Sequence, residues 1–153
     1  MTDHDEIANA LARYARGVDE REFATVAALF TDDAVVDYSV AGGTKLVATD
    51  LAAWLGRSLA MFRMTQHLLG LPVIDVSGDT ARTRVPVIAT HVQARHDGTE
   101  TSAVLNGTYT HEWTRTPAGW RIRSLRFDSH FAAGTFLAPS EVKLFPTPQA
   151  ATR

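Results

Sequence analysis

Apolar residues recur along the first part of the chain with helical spacing. Ile7, Leu11, Tyr14 and Val18 fall at intervals of four, three and four, which places them on one face of an α-helix. Thr2 or Asp3 stands where a side-chain cap belongs. Phe23, Val26, Ala27 and Phe30 repeat the stripe and predict a second helix over residues 20–30. Asp19 and Glu22 have the D-x-x-E spacing of a capping box at its start. Asp32-Asp33 reads as a turn, residues 34–39 (AVVDYS) as a short strand, and Ala41-Gly42-Gly43 as another turn. Leu51, Trp54, Leu55 and Leu59 define a third helix, starting near Thr49 or Asp50 and reaching about Met61.

From residue 64 the period changes to two. Strands are predicted over 64–70, 72–77, 80–95, 101–114 and 119–129. Ser77-Gly78-Asp79, His96-Asp97-Gly98 and Thr116-Pro117-Ala118-Gly119 supply the turns between them. Long runs joined by tight turns predict an antiparallel meander. Pro86 cannot donate a ladder hydrogen bond, so a bulge or an edge position is expected there. Helices followed by such a sheet give an α+β fold. Three helices across one face of a strongly curved sheet would enclose a pocket open at one end. Residues 1–137 form one domain in this reading, and 138–153 a tail with three prolines.

Composition narrows the function. With 153 residues, 45% of them hydrophobic and 21% charged, the chain suits a single globular domain. Fifteen basic residues against seventeen acidic ones give a net charge of -2, which argues against nucleic acid as a partner. Arg21, Arg82, Arg84, Arg95, Arg121, Arg123 and Arg126 are spread out and read as solvated. The absence of cysteine removes disulfides, thiolate zinc sites and a cysteine nucleophile. No signal-peptide pattern opens the chain and no stretch approaches the roughly 18 apolar residues of a membrane span. A cytoplasmic protein without a membrane partner is therefore expected.

Three positions stand out chemically. Asp19 closes the first helix at the end its dipole disfavours for an acid. It either caps the second helix or points into the pocket and orients a histidine. His67 sits among apolar residues in MTQHLLGLP, where neither parity is cleanly apolar. The strand is then an edge, or one of its faces carries polar groups turned away from water. His91 ends the parity series Ala81, Thr83, Val85, Val87, Ala89, which marks a buried face. A hydrogen-bonded structural histidine is the competing reading at both sites. His4 and His96 read as solvated. Asn106, Thr108 and Thr110 form a polar row on one parity of the strand predicted over 101–114, with Leu105, Tyr109, His111 and Trp113 on the other. Tyr38 and Asp37 point to opposite faces of the first strand, so one of them can reach the interior. No H-x-x-E, H-x-H or H-E-x-x-H spacing supports a metal site, and phosphate loops and G-x-S-x-G are absent.

The segments YARGVDEREFATVAALFTDDAVVDYS, TQHLLG and GTYTHEWTRTPAGWRI resemble the NTF2-like superfamily in its SnoaL-like branch. Within that branch the chain is similar to scytalone dehydratase and hexachlorocyclohexane dehydrochlorinase over residues 5–130. The resemblance implies a cone-shaped α+β barrel, three helices around a curved, mixed but largely antiparallel sheet. It implies a catalytic Asp19–His67 pair, with Tyr38 and His91 completing the site. The dehydratase has a tyrosine before its aspartate where this chain has Val18, and its strand serine and asparagine fall at Thr108 and Thr110. The substrate-binding residues expected are Asn106, Thr108, Thr110, Leu55 and Phe127, with Phe62, Leu69, Val87 and the tail shaping the pocket.

The resulting expectation is a lyase needing no cofactor or metal, of dehydratase type, acting on a small cyclic or polyketide-like hydrophobic molecule. Isomerase or cyclase chemistry in the same pocket requires the same proton abstraction and stays open. So does a non-catalytic small-ligand-binding or dimerisation module. The resemblance also implies a homodimer or homotrimer.

Overall fold

The structure is a computed structural model that describes residues 1–41 and 43–147. Gly42 of the expected Ala41-Gly42-Gly43 turn, and the end of the tail, lie outside the described residues. Helix α1 (Asp3–Asp19) starts as the periodicity predicts, with Thr2 as its cap. Thr2 Oγ1 accepts the Asp5 N–H at 3.2 Å while the Asp5 carboxylate accepts the Thr2 N–H at 2.9 Å, closing a reciprocal cap. Ile7, Leu11, Tyr14 and Val18 form its buried face.

The second helix is far shorter than its stripe suggests. Helix α2 spans only Phe23–Ala27, and Glu22 occupies its cap position without a side-chain bond. The expected Asp19–Glu22 capping box is therefore absent. Phe30 belongs instead to strand β1 (Phe30–Asp37), where it pairs in parallel with Ile122. Asp32 and Asp33 are not a turn but exposed residues inside β1, where its register against the neighbouring strand slips between Phe30 and Val35. A three-residue strand β2 (Lys45–Val47), not foreseen, pairs with β1. Helix α3 (Leu51–Leu59) follows it, entered through a 3-10 turn over Ala48–Asp50 in which Asp50 makes no side-chain cap bond. So only two of the three helices precede the first strand.

The remaining strands are β3 (Met64–Leu69), β4 (Val73–Ser77), β5 (Thr80–Ala94), β6 (Glu100–Thr116) and β7 (Gly119–Gly134). The sheet runs β2-β1-β7-β6-β5-β3, with β4 also on β5. It is a curved sheet that does not close on itself, parallel only between β1 and β7. Pro86 lies in unbroken register opposite Thr108, so no bulge forms at it. It falls between the part of β5 that pairs with β4 and the part that pairs with β3, and its carbonyl accepts the Gly70 N–H at 2.8 Å. The side that lacks a proline N–H thus faces Gly70, between β3 and β4, and no ladder bond to β6 is lost. Besides the slip in β1, the register shifts between β6 and β7, at Asn106/Gly107 and Glu112/Trp113.

Alternation sets the inner face. On β5 it carries Ala81, Thr83, Val85, Val87, Ala89 and His91, on β6 Ala103, Leu105, Tyr109, His111 and Trp113. Strand β7 continues past the expected end to Gly134, and the tail then returns along the end of β5. Leu137 donates its N–H to the Gln93 side chain at 2.7 Å, Lys143 to the Ala94 carbonyl at 2.8 Å and Phe145 to the Ala60 carbonyl at 2.7 Å. Among the described residues no helix is long and apolar enough to cross a membrane.

His111 is the most deeply buried titratable side chain of this face. Its Nδ1 meets Thr83 Oγ1 at 3.0 Å, and Thr83 Oγ1 accepts the Trp113 indole N–H at 3.0 Å. Burial pushes His111 down to about 3, against an ordinary value of 6.5. The unfolded chain therefore takes up a proton below pH 6.5 that the folded chain refuses until about pH 3. Stability is full above that window and is lost as pH falls through it. Urea unfolding should show about 2 kcal/mol lost to this group between pH 7 and pH 4.5, and His111→Leu should remove that share of the slope. An unchanged slope in the variant would show that His111 is not held neutral.

Candidate active site

The last turn of α1 delivers Asp19 to the inner edge of β3. The carboxylate leaves its own helix and serves the strand. Oδ2 accepts the backbone N–H of His67 at 2.8 Å, and Oδ1 accepts the Thr65 hydroxyl at 3.0 Å. Oδ1 also lies 2.7 Å from Nδ1 of the His67 ring. The side chains of His67 and Asp19 are 8% and 20% exposed, so the contact is shielded from bulk water. Burial works to raise the Asp19 carboxyl, but the His67 ring, the His67 N–H and Thr65 outweigh it. The net position is below the ordinary carboxylate value, and Asp19 is ionised at neutral pH. An ionised acceptor on Nδ1 requires the proton to sit on Nδ1, which leaves Nε2 as the basic nitrogen of a neutral imidazole. Nε2 makes no hydrogen bond among the described residues.

Strand β3 resolves its ambiguous sequence parity. It is paired on one side only, by β5, and its polar Thr65 and His67 are bound by Asp19.

His67 borders an inner cavity of about 320 Å³ beneath the helices. Its walls are mainly rings and hydrocarbon, among them Tyr14, Trp54, Leu55, Phe62, Tyr109 and Phe127. Tyr38 stands in this wall, stacked on Trp54 at 5.3 Å, with its hydroxyl 2.5 Å from that of Tyr14. Burial raises Tyr14, Tyr38 and Tyr109 above the ordinary phenol value, so all three stay protonated. His91 lines the same cavity, its ring 6.0 Å from that of His67 and 5.0 Å from Phe62. Burial, then the neighbouring His67, push His91 down to about 4. Its Nδ1 is buried with no hydrogen-bond partner among the described residues. Phe136 from the tail packs 5.7 Å from His91 and completes the wall. A second, outer cleft of about 510 Å³ lies between α1 and the β3–β4 connection and reaches the dyad from the other side.

Asp19, His67, Tyr38, His91, Leu55 and Phe127 are thus brought together around one region. Asn106, Thr108 and Thr110 are not. They alternate with Leu105, Gly107 and Tyr109 on β6, so they occupy the opposite face of the sheet. Thr108 bonds to His130 there, and none of the three lines the cavity. Leu69 lines the outer cleft rather than the inner cavity, and Val87 lines neither. Sequence reasoning passed over Thr65, Tyr14, Trp54 and Phe136 as site residues. Tyr14 was visible only as one member of the apolar stripe of α1, and Thr65 only as part of TQH.

Comparison with known proteins agrees with this architecture. A family model described as a SnoaL-like domain matches residues 1–126. The uncharacterized protein Rv2910c of Mycobacterium tuberculosis is 34% identical over 123 residues, which cover 80% of this chain and 82% of that one. A scytalone-dehydratase-like protein of Novosphingobium aromaticivorans superposes with a TM-score of 0.75 at 21% identity, covering 96% of this chain and 94% of its own. For a hexachlorocyclohexane dehydrochlorinase, LinA Type2, the TM-score is 0.74 at 20% identity, with 89% and 93% covered. An NTF2-like superfamily protein of Salmonella enterica gives 0.68 at 19% identity, with 83% and 90% covered. These structural likenesses are of fold. With its curved, open α+β sheet and a family match over most of its length, the chain belongs to the SnoaL-like domain family.

Proposed function

We propose that this protein is a cofactor-independent lyase of dehydratase type, which removes a proton beside a carbonyl of a small, largely apolar cyclic substrate. The observation that carries the reading is the shielded Asp19–His67 contact at the wall of an aromatic cavity. Asp19 holds the proton on Nδ1, so Nε2 takes the substrate proton, and the carboxylate stabilises the imidazolium that forms. Such assistance is worth about 10²–10⁴ in rate. In an apolar cavity the charge on the pair is worth more than it would be in water.

The phenols suit the enolate that develops. Tyr14 meets the hydroxyls of both Tyr38 and Tyr109, so three phenol protons serve two mutual contacts and one proton is left to reach a ligand oxygen. A donor aimed at a carbonyl stabilises negative charge as it grows. His91 is neutral at pH 7 and its ring stands in the cavity wall, where it suits a polar atom of the substrate, such as a departing hydroxyl. Collapse of the enolate then breaks the carbon–oxygen bond. The proton collected by His67 passes to the hydroxyl, which departs as water.

The first step can be read without knowing the natural leaving group. 2-Tetralone, a small bicyclic ketone with acidic α-hydrogens, exchanges them for deuterium in D2O, and NMR follows the rate. The wild-type protein should accelerate this exchange well above an equal concentration of imidazole. His67→Gln should lower the protein-dependent rate by about 100-fold or more, and Asp19→Asn by a similar order, with circular dichroism unchanged. Exchange in His67→Gln equal to that of the wild type would refute the base assignment and favour a non-catalytic binding role.

A further inference from the structure

Helix α1 ends in a turn whose backbone asks for glycine and receives arginine. The Glu22 N–H donates to the Gly17 carbonyl at 2.8 Å and the Arg21 N–H to the Val18 carbonyl at 3.3 Å. This is the two-bond Schellman ending, in which the residue at Arg21's position takes a left-handed conformation. Arg21 has a φ of 63° and is the sole non-glycine residue with positive φ among the described residues. A glycine would meet that backbone requirement without strain.

The side chain placed by this turn does not go to solvent. The Arg21 guanidinium is half-buried and donates to the Phe62 carbonyl at 3.3 Å and to Thr65 Oγ1 at 3.4 Å. Thr65, 4% exposed, has one hydroxyl proton. A guanidinium cannot accept it, and an ionised carboxylate can only accept. The direction of the chain is therefore fixed: Arg21 donates to Thr65, Thr65 donates to Asp19 Oδ1, and the same oxygen faces His67 Nδ1.

We propose that Arg21 and Thr65 are positioning residues for the dyad, a one-way hydrogen-bond relay that aims Asp19 at His67 and limits how tightly the carboxylate holds the imidazolium. This rests on the proposed role of His67 as the base. Neither residue touches the inner cavity, so each acts through Asp19. The other charged or titratable groups facing the dyad are Arg16 on α1 and Glu20 just past its end, which line the outer cleft and pair with each other at 2.9 Å, His91 on β5 and Tyr109 on β6. Arg21 is thus the nearby cation without a carboxylate partner of its own among the described residues. Its loss, or the loss of the Thr65 donor, leaves Asp19 a stronger partner for the imidazolium, which then persists to higher pH.

The test compares Arg21→Gly, Thr65→Val and Thr65→Ser in the full chain. Glycine suits the positive φ, so Arg21→Gly removes the guanidinium while easing the backbone. Two readouts are taken: the pH–rate profile of deuterium exchange into 2-tetralone, and the 13C NMR titration of the Asp19 carboxyl. Arg21→Gly and Thr65→Val should move the acid limb of the profile to higher pH and lower kcat about ten- to hundredfold, with KM little changed. The Asp19 carboxyl should titrate higher in both variants, and Thr65→Ser should restore both properties. An Asp19 titration and an acid limb unmoved in both variants would overturn the relay. If the wild-type protein gives no exchange at all, the base reading fails, and the Asp19 titration alone then decides whether the relay exists.

Discussion

One carboxylate joins the two halves of this fold. Asp19 ends the first helix, yet all of its hydrogen bonds go to β3: to a hydroxyl, a backbone N–H and an imidazole. A carboxylate at a helix C-terminus is electrostatically disfavoured, and burying it adds a desolvation cost. Three donors offset both, and they do so only if β3 lies against α1 in this register. A slip of one residue would turn Thr65 and His67 to the other face. The contact therefore fixes the strand, the ring and the protonation state together.

In the proposed reaction the same contact decides what the cavity can do. An imidazole in an apolar pocket without a carboxylate would be a weak, freely rotating base. With Asp19 on Nδ1, its proton and orientation are both set, and the free nitrogen belongs to a ring that borders the cavity. His91 shows the contrast within one site. It lacks such a partner, and burial holds it neutral. Two histidines 6.0 Å apart thus take different electrostatic roles because only one has an acid behind it. The phenols stay protonated for the same reason that His91 stays neutral: the cavity disfavours charge that is not paired.

Much of the fold was legible because its signals are local. The stripe of α1, its cap at Thr2, and the tight turns at Ser77–Thr80 and Thr116–Gly119 depend on neighbours in sequence. Phe30 was misread because its helical spacing is outweighed by pairing with Ile122, a partner far along the chain. Strand β2 is too short to show a period. In the site, Asp19 and His67 were found through their motifs, while the choice between capping and reaching across depended on where β3 lands. Asn106, Thr108 and Thr110 were expected to bind substrate, and none of them lines the inner cavity. A strand's own alternation separates its two faces but does not say which one the helices cover. Arg21 looked like one more solvated cation, since nothing in its type announces a left-handed turn that swings it inward.

The central claim concerns where a single proton sits on a single ring. The 15N chemical shifts of the His67 side chain, recorded above pH 8, report it directly. The account predicts a protonated Nδ1, slow to exchange with water, and an unprotonated Nε2. The opposite tautomer, or a ring whose nitrogens average rapidly, would contradict it.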